Sequence, residues 1–176
     1  VEKGDIVWTS ANTFVASSNC ALYCGAEVDF VDIDAETYNL CPNSLEKKLL
    51  EADKKGRIPK VVIPVHLCGE SCEMDKIYEL SKRYGFKIIE DASHSIGGKF
   101  KSFPIGSCEY SDITVFSFHP VKIITSAEGG MCTTNDSTLA KKLSVLRTHG
   151  ITRNEDDLVN NIEGPWYYEQ LYLGYN

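Results

Sequence analysis

Apolar positions in this chain follow two alternating rhythms. Short, nearly continuous runs read as buried strands: Ile6-Val7-Trp8, Lys60 to Val65, Phe86 to Ile89, Ile113 to Phe118 and Gly130 to Thr134. Glu27 to Asp32 alternates as a strand and ends in the acidic run Asp32-Ile33-Asp34. Between the runs lie stretches with helical spacing. Thr13 to Cys24 reads as a helix stopped by Gly25. A second helix starts at Asn43, its expected cap, just after Pro42, and runs to about Ala52. Glu73 to Tyr84 places Met74, Ile77, Leu80, Ser81 and Tyr84 on one stripe and ends at Gly85. Ser137 to Arg147 repeats the pattern with Leu139, Leu143 and Leu146.

Continuous apolar strands alternating with amphipathic helices predict a three-layer α/β/α fold around a mainly parallel sheet. In such sheets ligands sit beyond the carboxyl ends of the strands. The alternation covers residues 1–150, read as one core. Residues 151–176 read as an acidic, aromatic loop leading to a further part. The opening at Val1 and the close on Leu173-Gly174-Tyr175-Asn176 predict a piece of a longer protein, incomplete at both ends.

Composition narrows the chemistry. The chain has 176 residues and a formal net charge of −7, which argues against nucleic acid or an anionic membrane as the main partner. No window is long and apolar enough to span a bilayer, and the first residues lack the apolar core of a signal peptide. Seven cysteines, an odd number, suit reduced thiols in the cytoplasm. His66-Leu67-Cys68-Gly69-Glu70-Ser71-Cys72 invites a metal reading, but the spacing is loose and no second ligand pair follows. No metal is expected. Neither a dinucleotide fingerprint nor a Gly-Lys-Ser/Thr phosphate loop is present.

Two strand ends carry reactive groups. Val115-Phe116-Ser117-Phe118-His119-Pro120-Val121-Lys122 runs from an apolar strand into a lysine, and Ala127-Glu128-Gly129-Gly130 follows. A lysine there is expected to have an apolar wall on one side, which disfavours the ammonium and frees the amine as nucleophile or base. Upstream, Ile88-Ile89-Glu90-Asp91-Ala92-Ser93-His94 ends a second strand in acid. An acid at one strand end and a lysine at another is what a pyridoxal 5'-phosphate (PLP) site requires.

Six segments in order carry a resemblance: Thr13-Phe14-Val15-Ala16 with Gly25-Ala26 and Val31-Asp32-Ile33-Asp34; Pro64 to Gly69; Glu90 to His94; Ser117 to Lys122; Glu128-Gly129-Gly130; and Leu173 to Asn176. Together they resemble the DegT/DnrJ/EryC1/StrS family of PLP-dependent sugar aminotransferases, over essentially the whole chain. The fuller run through Arg147-Thr148-His149-Gly150-Ile151-Thr152-Arg153 is most similar to the PseC group, whose members aminate C4 of a UDP-linked 4-keto-6-deoxy-N-acetylhexosamine.

The resemblance implies the large domain of a type I (aspartate aminotransferase-like) transferase. It implies Lys122 as the Schiff-base lysine and proton shuttle, and Asp91 as partner of the pyridine nitrogen. Ser117 would contact the phosphate, and His94 would sit near the cofactor's phenolic oxygen. Phe14 falls where the family stacks an aromatic on the ring; a core residue of the first helix is the competing reading. Asn176 resembles the asparagine that reaches the phosphate of the partner subunit's cofactor. The implied partners are a nucleotide-sugar substrate, L-glutamate as amino donor and a second copy of the chain in a homodimer.

The family's early phosphate-binding turn would lie before Val1, and its small closing domain after Asn176. Residues 1–176 alone are therefore expected to bind PLP weakly and not to turn over. Two other readings stand beside this one. Sugar dehydratases of the family carry histidine in place of the lysine, and a non-catalytic α/β binding domain would make Asp91 and Lys122 incidental.

Overall fold

The computed structural model describes residues 1–160 and 163–175. Contacts divide the chain into two units, Val1–Asn135 and Asp136–Asn176.

The first unit alternates strand and helix as the pattern predicts. Its elements are β1 (Ile6–Ser10), α1 (Ala16–Tyr23), β2 (Glu27–Val31), α2 (Pro42–Lys54), β3 (Val61–Ile63), α3 (Met74–Tyr84) and β4 (Lys87–Asp91). After these come β5 (Lys99–Phe100), β6 (Phe103–Pro104), β7 (Ile113–Ser117) and β8 (Gly130–Thr133). Six strands form one sheet in the order β2-β1-β3-β4-β7-β8. All neighbours pair in parallel except β8, which runs antiparallel to β7 as the return arm of a hairpin. β5 and β6 form a separate two-residue ladder.

Period-two alternation sorts the strand residues between two layers. Trp8, Val62 and Ile88 pack with Leu45, Leu49 and Ala52 of α2 and with Met74, Ile77 and Leu80 of α3. Val7, Val61 and Ile63 point the other way, with Ala21 of α1 and Ala26. Helices therefore cover both faces, as a buried parallel sheet demands. On β4, the even positions 88 and 90 share the α2/α3 face, and the odd positions 89 and 91 share the α1 face.

Helix ends differ in detail from expectation. α1 starts at Ala16 rather than Thr13, because Thr13 and Phe14 form the turn ahead of it: the Phe14 carbonyl accepts the Ser17 amide at 3.1 Å. Its end is a Schellman turn, with Ala26 N–H to the Ala21 carbonyl, Gly25 N–H to the Leu22 carbonyl and Gly25 at φ 76°. Cys41, not Asn43, occupies the cap of α2, because Pro42 takes the first helical position, where its missing N–H and fixed φ cost nothing. Gly85 ends α3 as predicted, with φ 81° and its amide on the Ser81 carbonyl.

In the second unit, α4 (Ser137–Leu146) is capped by the Asp136 carboxylate, which accepts the Thr138 and Leu139 amides. Within the stretch expected to be loop, β9 (Ile151–Thr152) and β10 (Glu169–Gln170) pair antiparallel. A β-carbon on Gly150, already at φ 72°, would collide with the Tyr172 carbonyl, so the His149-Gly150 turn requires glycine. Asn176, with its expected phosphate contact, lies outside the described residues.

Leu49 is fully buried between α2 and the sheet, whereas Leu50 beside it is half exposed. Leu49→Ala is expected to cost about 3 kcal/mol and Leu50→Ala less than about 1 kcal/mol, read from urea melts at pH 7. Equal costs would mean that α2 does not dock by this face.

Candidate active site

Asp91 is the last residue of β4, and its backbone is pinned between strands. Its amide donates to the Pro64 carbonyl at 2.9 Å and its carbonyl accepts the His66 amide at 3.0 Å. On the α1 face, Asp91 Oδ2 accepts the Ser17 hydroxyl at 2.6 Å and Oδ1 accepts the Ser93 amide at 3.1 Å. The carboxylate is half-buried.

β7 lies beside β4 in the register Asp91↔Val115, which puts Ser117 two residues further along the same face. Strand spacing and rise place the two α-carbons roughly 8 Å apart. Ser117 is half-buried, and its hydroxyl accepts the His119 amide at 3.4 Å.

Lys122 sits in the loop that joins β7 to β8. Phe118 and Gly129 close that loop with an amide-to-carbonyl bond of 2.8 Å, and the Lys122 amide bonds the His119 carbonyl at 2.9 Å. A β-carbon on Gly129 would strike Ser126 Oγ, which holds the Glu128 carbonyl; this gives the glycine a reason that spacing alone did not supply. Lys122 is half-buried. Its neighbours Val121, Ile123 and Ile124 are themselves exposed.

His94 lies in the turn after β4, and its Nδ1 accepts the Cys68 amide at 3.3 Å. That bond leaves the proton of a neutral ring on Nε2. Phe14 is 74% exposed, which removes the reading of it as a core residue. It lies one turn ahead of Ser17 and Ala21 on their stripe, beyond the end of the helix that holds Asp91.

On the opposite face of β4, a buried network braces the strand ends. Glu90 Oε2 meets His66 Nε2 at 2.7 Å, and Oε1 accepts the hydroxyls of Ser111 and Thr114, the latter at 2.9 Å. His66 Nδ1 accepts the Cys72 amide at 3.1 Å, so Nε2 carries the proton and donates to Glu90. Burial alone would raise the Glu90 carboxyl; the bonds from His66, Ser111 and Thr114 outweigh it, and the group titrates below its ordinary range. Burial pushes the Cys72 thiol up to about 12, so this cysteine is an inert packing group.

Asp91, Ser117, His94, Lys122 and Phe14 thus all belong to strand ends and loops at the carboxyl edge of one sheet. Sequence reasoning missed Ser17, Thr13 and the Glu90–His66 pair. Ser17 lies 74 residues from Asp91, so no local pattern announces the contact. The donor set fits PLP: a carboxylate with unfilled lone pairs, a hydroxyl on the same face, and an amine without an ion-pair partner among the described residues.

The sequence pattern of the DegT/DnrJ/EryC1/StrS aminotransferase family matches residues 1–176. The chain belongs to that family. It is 38% identical over 174 residues to the UDP-4-amino-4,6-dideoxy-N-acetyl-beta-L-altrosamine transaminase of Campylobacter jejuni, covering 99% of this chain and 42% of that protein. It is 40% identical over 146 residues to EpsN of Bacillus subtilis, a protein named as a pyridoxal phosphate-dependent aminotransferase, covering 83% of this chain and 37% of EpsN. The structure of Helicobacter pylori PseC, an aminotransferase of pseudaminic acid biosynthesis, superposes with a TM-score of 0.83 at 28% identity, over 100% of this chain and 43% of that one. These likenesses establish the mainly parallel sheet as part of the family's aminotransferase fold. The chain spans less than half the length of these relatives.

The Glu90 network yields a pH prediction. A carboxyl depressed on folding contributes stability that is complete above its unfolded value, near 4.5, and is lost as pH falls through the folded value. Glu90→Gln, which keeps the shape, is expected to flatten the loss of stability between pH 5 and about 3; Glu90→Ala should cost about 3 kcal/mol at pH 7. Urea melts across that range decide it: identical slopes for the parent chain and Glu90→Gln would exclude Glu90 as the titrating group.

Proposed function

We propose that this chain forms the PLP-binding part of an aminotransferase that moves an amino group from an amino acid, L-glutamate, to a nucleotide-linked 4-keto-6-deoxy sugar. The products would feed surface-polysaccharide or pseudaminic acid-type sugar synthesis. The observation that carries the reading is the pairing of Asp91 and Ser117 on one face of adjacent strand ends, with Lys122 in the loop that β7 enters. Family membership and the functions named for the relatives support it.

When bound, the cofactor supplies an electron-withdrawing ring that stabilises negative charge on the reacting carbon. The other roles belong to the chain. Asp91 holds a proton on the ring nitrogen. Lys122 would hold the cofactor through its amine and, once displaced by the amino donor, would carry the proton to and from the substrate carbon. Ser117 donates to a phosphate oxygen, and His94 presents Nε2–H to the phenolic oxygen. Phe14, exposed and ahead of the helix that holds Asp91, covers the ring face.

A homodimer suits the exposed apolar groups on these loops, Phe14, Val121, Ile123 and Ile124. A cytoplasmic location suits the seven cysteines, all of them free thiols. Among the described residues no helix is long and apolar enough to cross a membrane.

Borohydride reduction followed by peptide mapping tests the assignment in the complete coding sequence that carries this chain. The reduced cofactor should be found on Lys122, and Lys122→Ala should abolish the adduct and lower amination by at least about a thousandfold. A reducible adduct that persists unchanged in Lys122→Ala would end the assignment.

A further inference from the structure

The Asp91 carboxylate has a supporting pair of hydroxyls to which the proposed chemistry gives no role. Ser17 Oγ lies 2.6 Å from Asp91 Oδ2, and Thr13 Oγ1 lies 2.9 Å from Ser17 Oγ. An ionised carboxylate only accepts, so Ser17 donates its single proton to Asp91. Thr13 must then donate to Ser17, and the three groups form an ordered chain from Thr13 through Ser17 to Asp91. With the Ser93 amide on Oδ1, both carboxylate oxygens are held, each by one donor, and each keeps acceptor capacity.

A purely structural role does not account for this arrangement. α1 buries only Ser17 and Ala21. The Ala21 position shows what packing against the sheet requires: a small apolar group. A serine buried there without a partner would be unfavourable, so its hydroxyl is retained for the bond it makes. Thr13 belongs to the β1–α1 loop that also presents Phe14. The loop proposed to cover the ring is thereby tied to the carboxylate proposed to meet the ring nitrogen.

Resting on that reading of Asp91, we propose that Ser17 is a positioning residue, oriented in turn by Thr13, which fixes the plane of the Asp91 carboxylate toward the cofactor's ring nitrogen. Its effect is on the cofactor rather than on the fold. Asp91 is half-buried, so water replaces the lost donor when the cofactor is absent.

The test uses the complete coding sequence, with PLP stripped and added back. Ser17→Ala should weaken PLP binding about tenfold by fluorescence titration. It should also move the pH at which the bound cofactor's visible absorbance changes by about one unit. The melting temperature of the stripped protein should stay at the parent value. Ser17→Thr, which keeps the hydroxyl, should restore both cofactor readouts, and Thr13→Val should shift them less, in the same direction. The proposal is overturned if Ser17→Ala lowers the melting temperature while the absorbance transition stays in place. If Ser17→Ala does not fold, Thr13→Val decides: an unmoved transition rejects the relay. A parent protein that takes up no PLP would instead reject the site assignment beneath it.

Discussion

The residue on which the carboxyl edge depends is Asp91, held from four directions at once. Its amide and carbonyl are spent on the chain just beyond β3, its carboxylate on α1 and on its own turn, and the next amide, Ala92, on the Val115 carbonyl of β7. One residue earlier, Glu90 is tied to His66, Ser111 and Thr114 on the opposite face. A single backbone bond contributes about 1 kcal/mol, but a buried carboxylate stripped of its donors costs several times that. The Glu90 network is therefore the stiffer brace, and it acts one peptide from the group proposed for chemistry. His66 links the two faces, because its ring holds Glu90 while its amide holds the Asp91 carbonyl.

Much of this frame was legible in the sequence because it follows from period and punctuation. The parallel strands are short apolar runs, the helices carry stripes such as Met74, Ile77 and Leu80, and Gly25 and Gly85 end helices where a left-handed residue is needed. That Asp91 and Ser117 share one face follows from the pairing of β4 with β7 and its register, which the pattern along the chain does not give. What was not legible depends on contacts across long separations. Ser17 reads as one small polar residue among several in a helix, and His66 as a histidine after a strand. Their partners lie 74 and 24 residues away. The start of α1 was misplaced for a local reason: Thr13 and Phe14 favour the helical stripe, but the Thr13 hydroxyl is engaged by Ser17 and the helix begins after them. The pairs β5–β6 and β9–β10 are two residues long, below the length at which a period can be recognised.

The two residues at the centre of the proposed chemistry are held in contrasting ways, and the contrast suits their tasks. In the proposed role Asp91 would keep one oxygen on one ring atom, and it is fixed by strand pairing and two side-chain bonds. In the proposed role Lys122 would have to move, and it sits on a hairpin loop with no side-chain bond of its own among the described residues. The loop itself is not slack. Phe118 bonds Gly129 across its base, the Ser126 amide and the Thr125 hydroxyl bond the Phe118 carbonyl, and Ser126 Oγ bonds the Glu128 carbonyl. Gly129 allows that close approach, since any side chain there would displace Ser126. A fixed base with a free amine at its tip restricts where the lysine begins its swing without restricting the swing. Pre-organisation is thereby concentrated on the backbone of the loop and on the carboxylate, the two parts of the site that have no reason to move.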